Sequence, residues 1–469
     1  MNKYKYLIKN FGLLTISSFS TKFLTFLFLP LYTSILTSDE YGTYDLIYTT
    51  VVLCVPILTL NINEAILRFC LDHNVNISSL LIISFKYVSL GLGIIILFVT
   101  LNREFKWVSF ISDYSVVFVF LYLFSVITEI CNAYARGIEK ITDVAVSGII
   151  GTITTILFNI IFLVIYPLSL EGFLWSSIIG LFFQSSYLVI RTKIYKAIIR
   201  IHYDKTLERE MIYYSCPLIL NAVTWWINSS FDRYVVTYYC GLSDTGIYSV
   251  AYKIPTILSI VNAVFNQAWI LSATKESKDE NAKTFYRNVY KVYNAGMVIF
   301  CSLLLVVNKQ IAYILFQSEF FKAWQYSPFL LISVIFGSLS GYFGTLFCTI
   351  KQTKIIGFSV LIGAIINIVL SIYLVQLLGV IGVALATIVS YILIWLLRYV
   401  TLSKFLSLHL ISIKDLACYS LLIIQALLYL INSNTVNNFF IQIVIFFFVL
   451  FINRQIISSF ISKTLRGVL

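Results

Sequence analysis

Charge is what this sequence has least of. Only 12% of its residues are charged, 59% are apolar, and the mean hydropathy is +0.91. Successive apolar runs of about 20 residues leave no polar face to meet water, which excludes a set of soluble domains. Histidine is nearly missing: His73, His202 and His409 all fall in loops expected on the cytoplasmic side, which removes the usual intramembrane general base. A GxxxxGK(S/T) phosphate loop is absent, so ATP hydrolysis is not built in. The eight cysteines are scattered, mostly within apolar runs, with no CxxC pair or His-rich neighbour, and neither a metal site nor a disulfide is expected. The longest outer connection, about 308–327, is short and apolar and leaves no outer catalytic domain. No enzyme is expected, and secondary transport is what remains.

What is present is a succession of membrane spans. Read against the length needed to cross hydrocarbon, the runs predict an all-α polytopic membrane protein with fourteen helices. They are placed at about 11–36, 44–66, 77–100, 115–136, 143–166, 172–190, 213–240, 246–270, 289–307, 328–350, 355–376, 379–400, 415–431 and 438–455. The N-terminal MNKYKYLIKN and the run after it read as an uncleaved first span, since the run exceeds a signal peptide's apolar region and lacks a small-residue cleavage site. With the N-terminus inside, the outer loops hold four basic residues, Arg103, Lys106, Lys309 and Lys322, and almost all the rest are cytoplasmic. That asymmetry fixes the orientation with both termini cytoplasmic, and accounts for the net charge of +12 without nucleic acid. The two largest basic loops, 191–212 and 275–291, are also suited to anionic lipid headgroups.

The chain repeats itself. SDEYGTY (Ser38 to Tyr44) and SDTGIY (Ser243 to Tyr248) are expected as outer turns; Asn159 with GFLWSSI from Gly172 is matched by Asn367 with GVALATI from Gly382. The interval is roughly 205 to 210 residues each time, which points to a duplication. Six helices per copy give parallel repeats, hence two lobes around a central cavity. The expected organisation is an N-terminal lobe (1–195), a cytoplasmic linker (196–212), a C-terminal lobe (213–404), and an additional helix pair with a cytoplasmic tail (405–469). Pro30, Pro56, Pro217 and Pro255 fall in the leading hairpin of each lobe, where kinks would serve as hinges.

Four cations lie inside apolar runs: Lys22, Lys86, Arg233 and Lys253. A cation in hydrocarbon is costly and normally faces a bundle interior or a watery cavity, so these are candidate ligands of an anionic substrate. Lys22 and Lys86 lie roughly 15 Å from the cytoplasmic end, too deep for easy snorkelling. Their alternative is structural pairing with Glu64 or Glu129. Arg233 and Lys253 sit nearer the outer ends, where snorkelling competes. Asp232 adjoins Arg233, yet adjacent helical positions diverge by about 100°, so a partner in Lys22 or Lys253 is the more attractive arrangement. Asp232 and Glu129 are candidate coupling carboxylates for a proton or sodium ion, and Glu64 and Arg68 candidate gate residues. Trp225 and Trp226 are candidate platforms for sugar rings, against the usual role of Trp at membrane interfaces.

The stretch YYSCPLILNAVTWWINSSFDRYVVTYYCGLSDTGIYSVAYKI (Tyr213 to Ile254) resembles the polysaccharide-transport flippases, especially those of the bacterial O-antigen (Wzx-type) branch. EYGTYDLIYTT (Glu40 to Thr50), EAILRF (Glu64 to Phe69) and GVIGVALAT (Gly379 to Thr387) extend the resemblance over most of the first 400 residues. It implies a translocator moving undecaprenyl-diphosphate-linked sugar repeat units to the outer leaflet by alternating access, without a cofactor. Lipid-linked oligosaccharide and membrane lipid are its implied partners, together with a polysaccharide polymerase and a chain-length regulator. Lipid II flippases and cation-coupled multidrug exporters belong to the same superfamily and stay open as alternatives, as does a membrane scaffold of a polysaccharide assembly complex. One departure stands out: the second span ends in LNINEAILRF (Leu60 to Phe69), where the family commonly carries a glycine before the Glu-Ala segment, which puts packing there in question.

Overall fold

The computed structural model describes residues 19–72, 75–199, 203–276, 282–406, 410–431 and 435–465, and every regular element in them is helical. The three histidines lie outside the described residues. Twelve helices are long and apolar enough to cross a membrane, and they coincide with twelve of the fourteen expected spans. The first expected span has only Phe19–Ile35 among the described residues. The seventh lies in the 36-residue helix Lys205–Cys240, whose apolar run is interrupted by Asn221, Asn228, Ser229, Ser230, Asp232 and Arg233.

The chain forms two compact units, residues 1–230 and 231–469, and the division falls within helix Lys205–Cys240. The first unit packs around Ile47, Val51, Leu80, Ile83, Phe118, Leu121 and Leu174, all fully buried. In the second, Trp269 stacks on Tyr342 at 4.4 Å, and Tyr290 and Phe343 close the same cluster. The last helix pair, Ile413–Ile431 and Thr435–Leu465, belongs to this core through buried amides. Gln442 donates to Gln425 O at 2.7 Å, Gln425 donates to Gln442 O at 3.3 Å, and Ser302 of helix Ala282–Val306 donates to Gln425 Oε1 at 2.8 Å. Amides inside a bilayer have no water to satisfy them, so these bonds hold the pair in register.

The segments Ser38 to Tyr44 and Ser243 to Tyr248, expected as outer turns, are helix beginnings. Helix Ser38–Leu58 opens with a capping box in which Glu40 N donates to Thr37 Oγ1 at 3.3 Å and Thr37 N to Glu40 Oε2 at 2.8 Å. Helix Leu242–Ala251 opens after Gly241, at φ +95°, a value that a Cβ would strain. Thr37 and Glu40 make the first cap, and Asp39, Glu40 and Asp244 supply the first-turn negative charge that helix N-termini favour. The other repeat is also carried into structure. Asn159 and Asn367 are each 1% exposed and hydrogen-bonded, to Tyr32 and Thr387 respectively. Gly172 and Gly382 each begin a hairpin's second helix so close to the first that a Cβ would meet Phe162 or Leu374.

Three of the four candidate hinge prolines adjoin a helix break. Helix Phe19–Ile35 has a turn at Phe28, two residues before Pro30. Tyr252 interrupts the path between helices Leu242–Ala251 and Lys253–Glu276, three residues before Pro255. Helix Ser38–Leu58 ends two residues after Pro56, so the expected span 44–66 is in fact this helix and a separate one, Ile62–Phe69. Leu60 and Asn61 between them adopt left-handed φ values of +52° and +53°, the conformation that glycine takes most easily. The missing family glycine thus corresponds to a real backbone bend. Helix Lys205–Cys240 continues through Pro217 without a break.

Candidate functional site

The deep cation of the first unit has an acid for a partner, though neither Glu64 nor Glu129. Lys86, on helix Ile77–Phe105, places Nζ 2.8 Å from Glu208 Oε1 and 3.3 Å from the Tyr203 hydroxyl. Tyr87 donates to the same Oε1 at 2.8 Å, and the Tyr203 hydroxyl donates to Oε2. Asp204 Oδ1 accepts from Thr206 N at 2.8 Å, capping helix Lys205–Cys240 and fixing Glu208 one turn further on. Glu208 precedes the expected span at 213. Burial pushes its carboxyl up, but hydrogen bonds from Lys86, Tyr203 and Tyr87 outweigh this and lower it to about 2. The Lys86 side chain remains 45% exposed while that of Glu208 is 9% exposed, so the ammonium faces open space with its counter-ion behind it.

The second centre is built by a hairpin. Helix Lys205–Cys240 ends at Gly241, and Thr237 Oγ1 meets Thr245 Oγ1 at 2.8 Å across the bend. Asp232 therefore faces the next helix. Its Oδ2 accepts from Tyr248 OH at 2.9 Å and Tyr252 OH at 2.5 Å, and its Oδ1 accepts from Arg233 N at 3.0 Å and Arg233 Nη1 at 3.3 Å. The guanidinium lies 4.7 Å above the Tyr252 ring. Adjacent residues thus do pair here, because the long Arg233 side chain folds back over Tyr252; the arrangement with Lys22 or Lys253 is replaced by two tyrosines and Arg233. Asp232 is 2% exposed, and a buried ion pair of this kind stands on its additional hydrogen bonds.

The remaining candidates are not drawn into one cluster. Lys22 is exposed on helix Phe19–Ile35 and makes no ion pair among the described residues. Lys253 is half-buried at the first residue of helix Lys253–Glu276. Glu129 is exposed and accepts from Asn63 Nδ2 at 3.1 Å. Glu64 is half-buried without an ion pair among the described residues, and Arg68 reaches Asp72 at 3.9 Å in an exposed contact. Trp226 spends its indole N–H on Thr49 O at 2.8 Å, whereas Trp225 is 65% exposed. No group of three or more His, Cys, Asp or Glu stands together as metal ligands among the described residues.

Sequence reading missed Glu208, Tyr203, Tyr248, Tyr252 and a fifth deep cation. Arg398 is 5% exposed in helix Val380–Leu406 and donates to Ser359 Oγ at 2.9 Å, Ser340 O at 2.8 Å and Ile356 O at 3.2 Å. Its place inside the twelfth apolar run was the available signal. Its three partners are neutral and lie on neighbouring helices, so it fastens helix ends together. For Glu208 no local signal existed, since it is 122 positions from Lys86.

The profile of a family described as polysaccharide biosynthesis protein matches residues 7–270. No curated protein matches the sequence significantly. Among solved structures, the lipid II flippase MurJ in an inward closed conformation is similar over 96% of this chain and 99% of its own, with a TM-score of 0.67 and 20% identity. An inward-facing multidrug resistance MATE transporter of the MOP superfamily gives 0.66 and 14% identity over 82% of this chain and 95% of its own. A MOP superfamily transporter from Pyrococcus furiosus gives 0.60 and 13% identity, covering 86% and 96%. At these identities the solved structures establish the fold, and the profile establishes the lineage: this multi-pass membrane protein belongs to the polysaccharide biosynthesis protein family of flippases and has the fold shared by MATE transporters and MurJ.

Proposed function

We propose that the protein is a flippase for an undecaprenyl-diphosphate-linked oligosaccharide of the O-antigen type, carrying it from the cytoplasmic to the outer leaflet of a bacterial inner membrane by alternating access. The observation that carries this reading is the family match over residues 7–270. It is supported by intramembrane cations, Lys86 and Arg233, each held with a carboxylate and tyrosine hydroxyls. A diphosphate leaving water needs counter-charge and hydrogen-bond donors, which these centres contain. Trp225 offers an exposed ring for a sugar face. With the cytoplasm negative, outward passage of negative charge is downhill by about 2.3 kcal/mol per charge per 100 mV. Resetting by a proton or sodium ion falls to Asp232 or Glu129 on this reading. The termini are cytoplasmic, and a polymerase and a chain-length regulator act on the delivered repeat units.

In cells lacking their own flippase, the wild-type chain should restore surface polysaccharide, while Lys86→Met and Arg233→Met variants that reach the membrane should lower it by about tenfold or more, the loss of one charge-assisted contact. Normal display by both variants would contradict the reading. A second reading, cation-coupled multidrug export, is favoured by the buried carboxylate of Asp232; it predicts that the chain protects cells from cationic drugs and leaves surface polysaccharide unrestored.

A further inference from the structure

We infer that Glu208 is the internal counter-anion of Lys86, occupying the place where a phosphate group of the substrate binds, so that anion binding and release of the linker from helix Ile77–Phe105 are one event. This rests on the reading that the chain carries an anionic headgroup. The geometry supplies the argument. Among the described residues Glu208 has no other basic partner: its two oxygens are taken by the Lys86 ammonium and by the hydroxyls of Tyr87 and Tyr203. A phosphate oxygen asks for the same donors, one ammonium and two hydroxyls. Lys86 is reachable from outside, being 45% exposed, and Tyr203 is exposed beside it with its ring 5.3 Å from Nζ. Glu208 is attached to the opening turn of helix Lys205–Cys240, where Asp204 caps and Lys205 and Arg209 are exposed.

Anion exchange at Lys86 has a lower electrostatic cost than binding at an empty buried cation. The ammonium is never left without a counter-charge, and the carboxylate that departs lies on a turn that also carries the exposed cations Lys205 and Arg209. A ligand shifts a conformational equilibrium only by its differential affinity for the two states. Here the difference is explicit: with Glu208 in place the site is neutral, and with the linker released it is cationic. Lys86 is then a binding residue and Glu208 its positioning and competing residue, acting on the substrate through Lys86.

The test uses the full-length protein in lipid nanodiscs, with inorganic diphosphate as probe and two readouts: diphosphate affinity, and amide hydrogen exchange over residues 205–212. Wild type should bind diphosphate, and binding should raise exchange in that segment. Glu208→Gln should bind about tenfold more tightly, with exchange already high and insensitive to diphosphate. Lys86→Met should lose binding, and the double variant should match Lys86→Met alone, as expected for two residues acting through one interaction. Glu208→Ala, which removes the competing carboxylate and keeps Lys86 and both tyrosine donors, should also tighten binding and provides the result if Glu208→Gln folds poorly. The inference is overturned if diphosphate leaves exchange over 205–212 unchanged in wild type, or if the folded Glu208 variants bind no more tightly. Failure of the transport reading looks different: diphosphate exchange at Lys86 would be observed while vesicles fail to move lipid-linked sugar.

Discussion

Leu60 and Asn61 sit at φ +52° and +53° between two helices, a conformation that costs a branched side chain more than it costs glycine. Asn tolerates it and Leu does not, so Leu60→Gly should raise thermal stability in detergent by about 0.4–1 kcal/mol, less whatever apolar contact Leu60 makes, and Asn61→Gly should be close to neutral. A loss of stability in both would mean that the bend is held by side-chain contacts. At Asp232, removing one partner of a buried pair should cost about 3–5 kcal/mol, because it leaves Arg233 charged and uncompensated. Asp232→Asn should therefore lower stability more than the double variant Asp232→Asn with Arg233→Met, checked by thermal unfolding of each. For Glu208 the pH sign is fixed by its lowered value. A carboxyl lying below its ordinary 4.5 contributes stability above that value and loses it as the pH falls toward about 2. Exchange protection over residues 205–212 should be flat from neutral pH to about 5 and decay below 4.5, and Glu208→Gln should abolish the decay. Residue by residue, the sequence marked Lys86, Arg233 and Asp232 because charge in an apolar run is visible without a structure. Their partners were hidden, because Glu208 and Tyr203 lie in a stretch that composition marks only as a polar linker, and Tyr248 and Tyr252 become partners of Asp232 only once the hairpin at Gly241 closes.

Helix existence was legible at the element scale, and helix ends were less so. Apolar runs locate hydrocarbon, but a helix continues past the bilayer wherever its caps allow. That is why Ser38–Tyr44 and Ser243–Tyr248 start helices instead of forming turns. The polar run Thr37 to Glu40 can look like a loop while supplying a capping box. Conversely, propensity gave no hint of the break in the span expected over 44–66, since nothing in LNINEAILRF excludes a helix; only the departure from the family's glycine pointed there. The Gly241 hairpin is the element on which the second centre depends. Gly241→Ala places a Cβ at φ +95° and should cost about 1–2 kcal/mol. Its signature should be a selective loss of the Asp232–Tyr248 contact, seen as faster exchange in residues 242–252 with the first unit unaffected. Gly382→Ala should destabilise through a different cause, the pressure of its Cβ on Leu374 O where two helices meet closely. Unchanged melting in that variant would show that the hairpin can splay.

Across the whole molecule, low charge and high hydropathy settled the class, and the twelve apolar helices follow from the same runs. The polar seventh run is the informative exception. A helix carrying Asn221, Asn228, Asp232 and Arg233 is poorly suited to lipid on all sides, and Asn228, Ser230 and Asp232 on it are buried against protein. Family membership also came through the sequence, because the Asp-Arg-Tyr and Gly-Leu-x-x-x-Gly-x-Tyr pattern lies within the matched 7–270. Substrate identity is a property of side chains spread over many helices, and short motifs do not encode it. The most direct measurement is flipping by purified protein in vesicles loaded with a fluorescent undecaprenyl-diphosphate-linked oligosaccharide. The account predicts that wild type brings the lipid to the outer leaflet many times faster than protein-free vesicles, that Lys86→Met and Arg233→Met fall toward the protein-free rate, and that cationic drugs are not moved. Drug movement without any flipping of the lipid-linked sugar would contradict it.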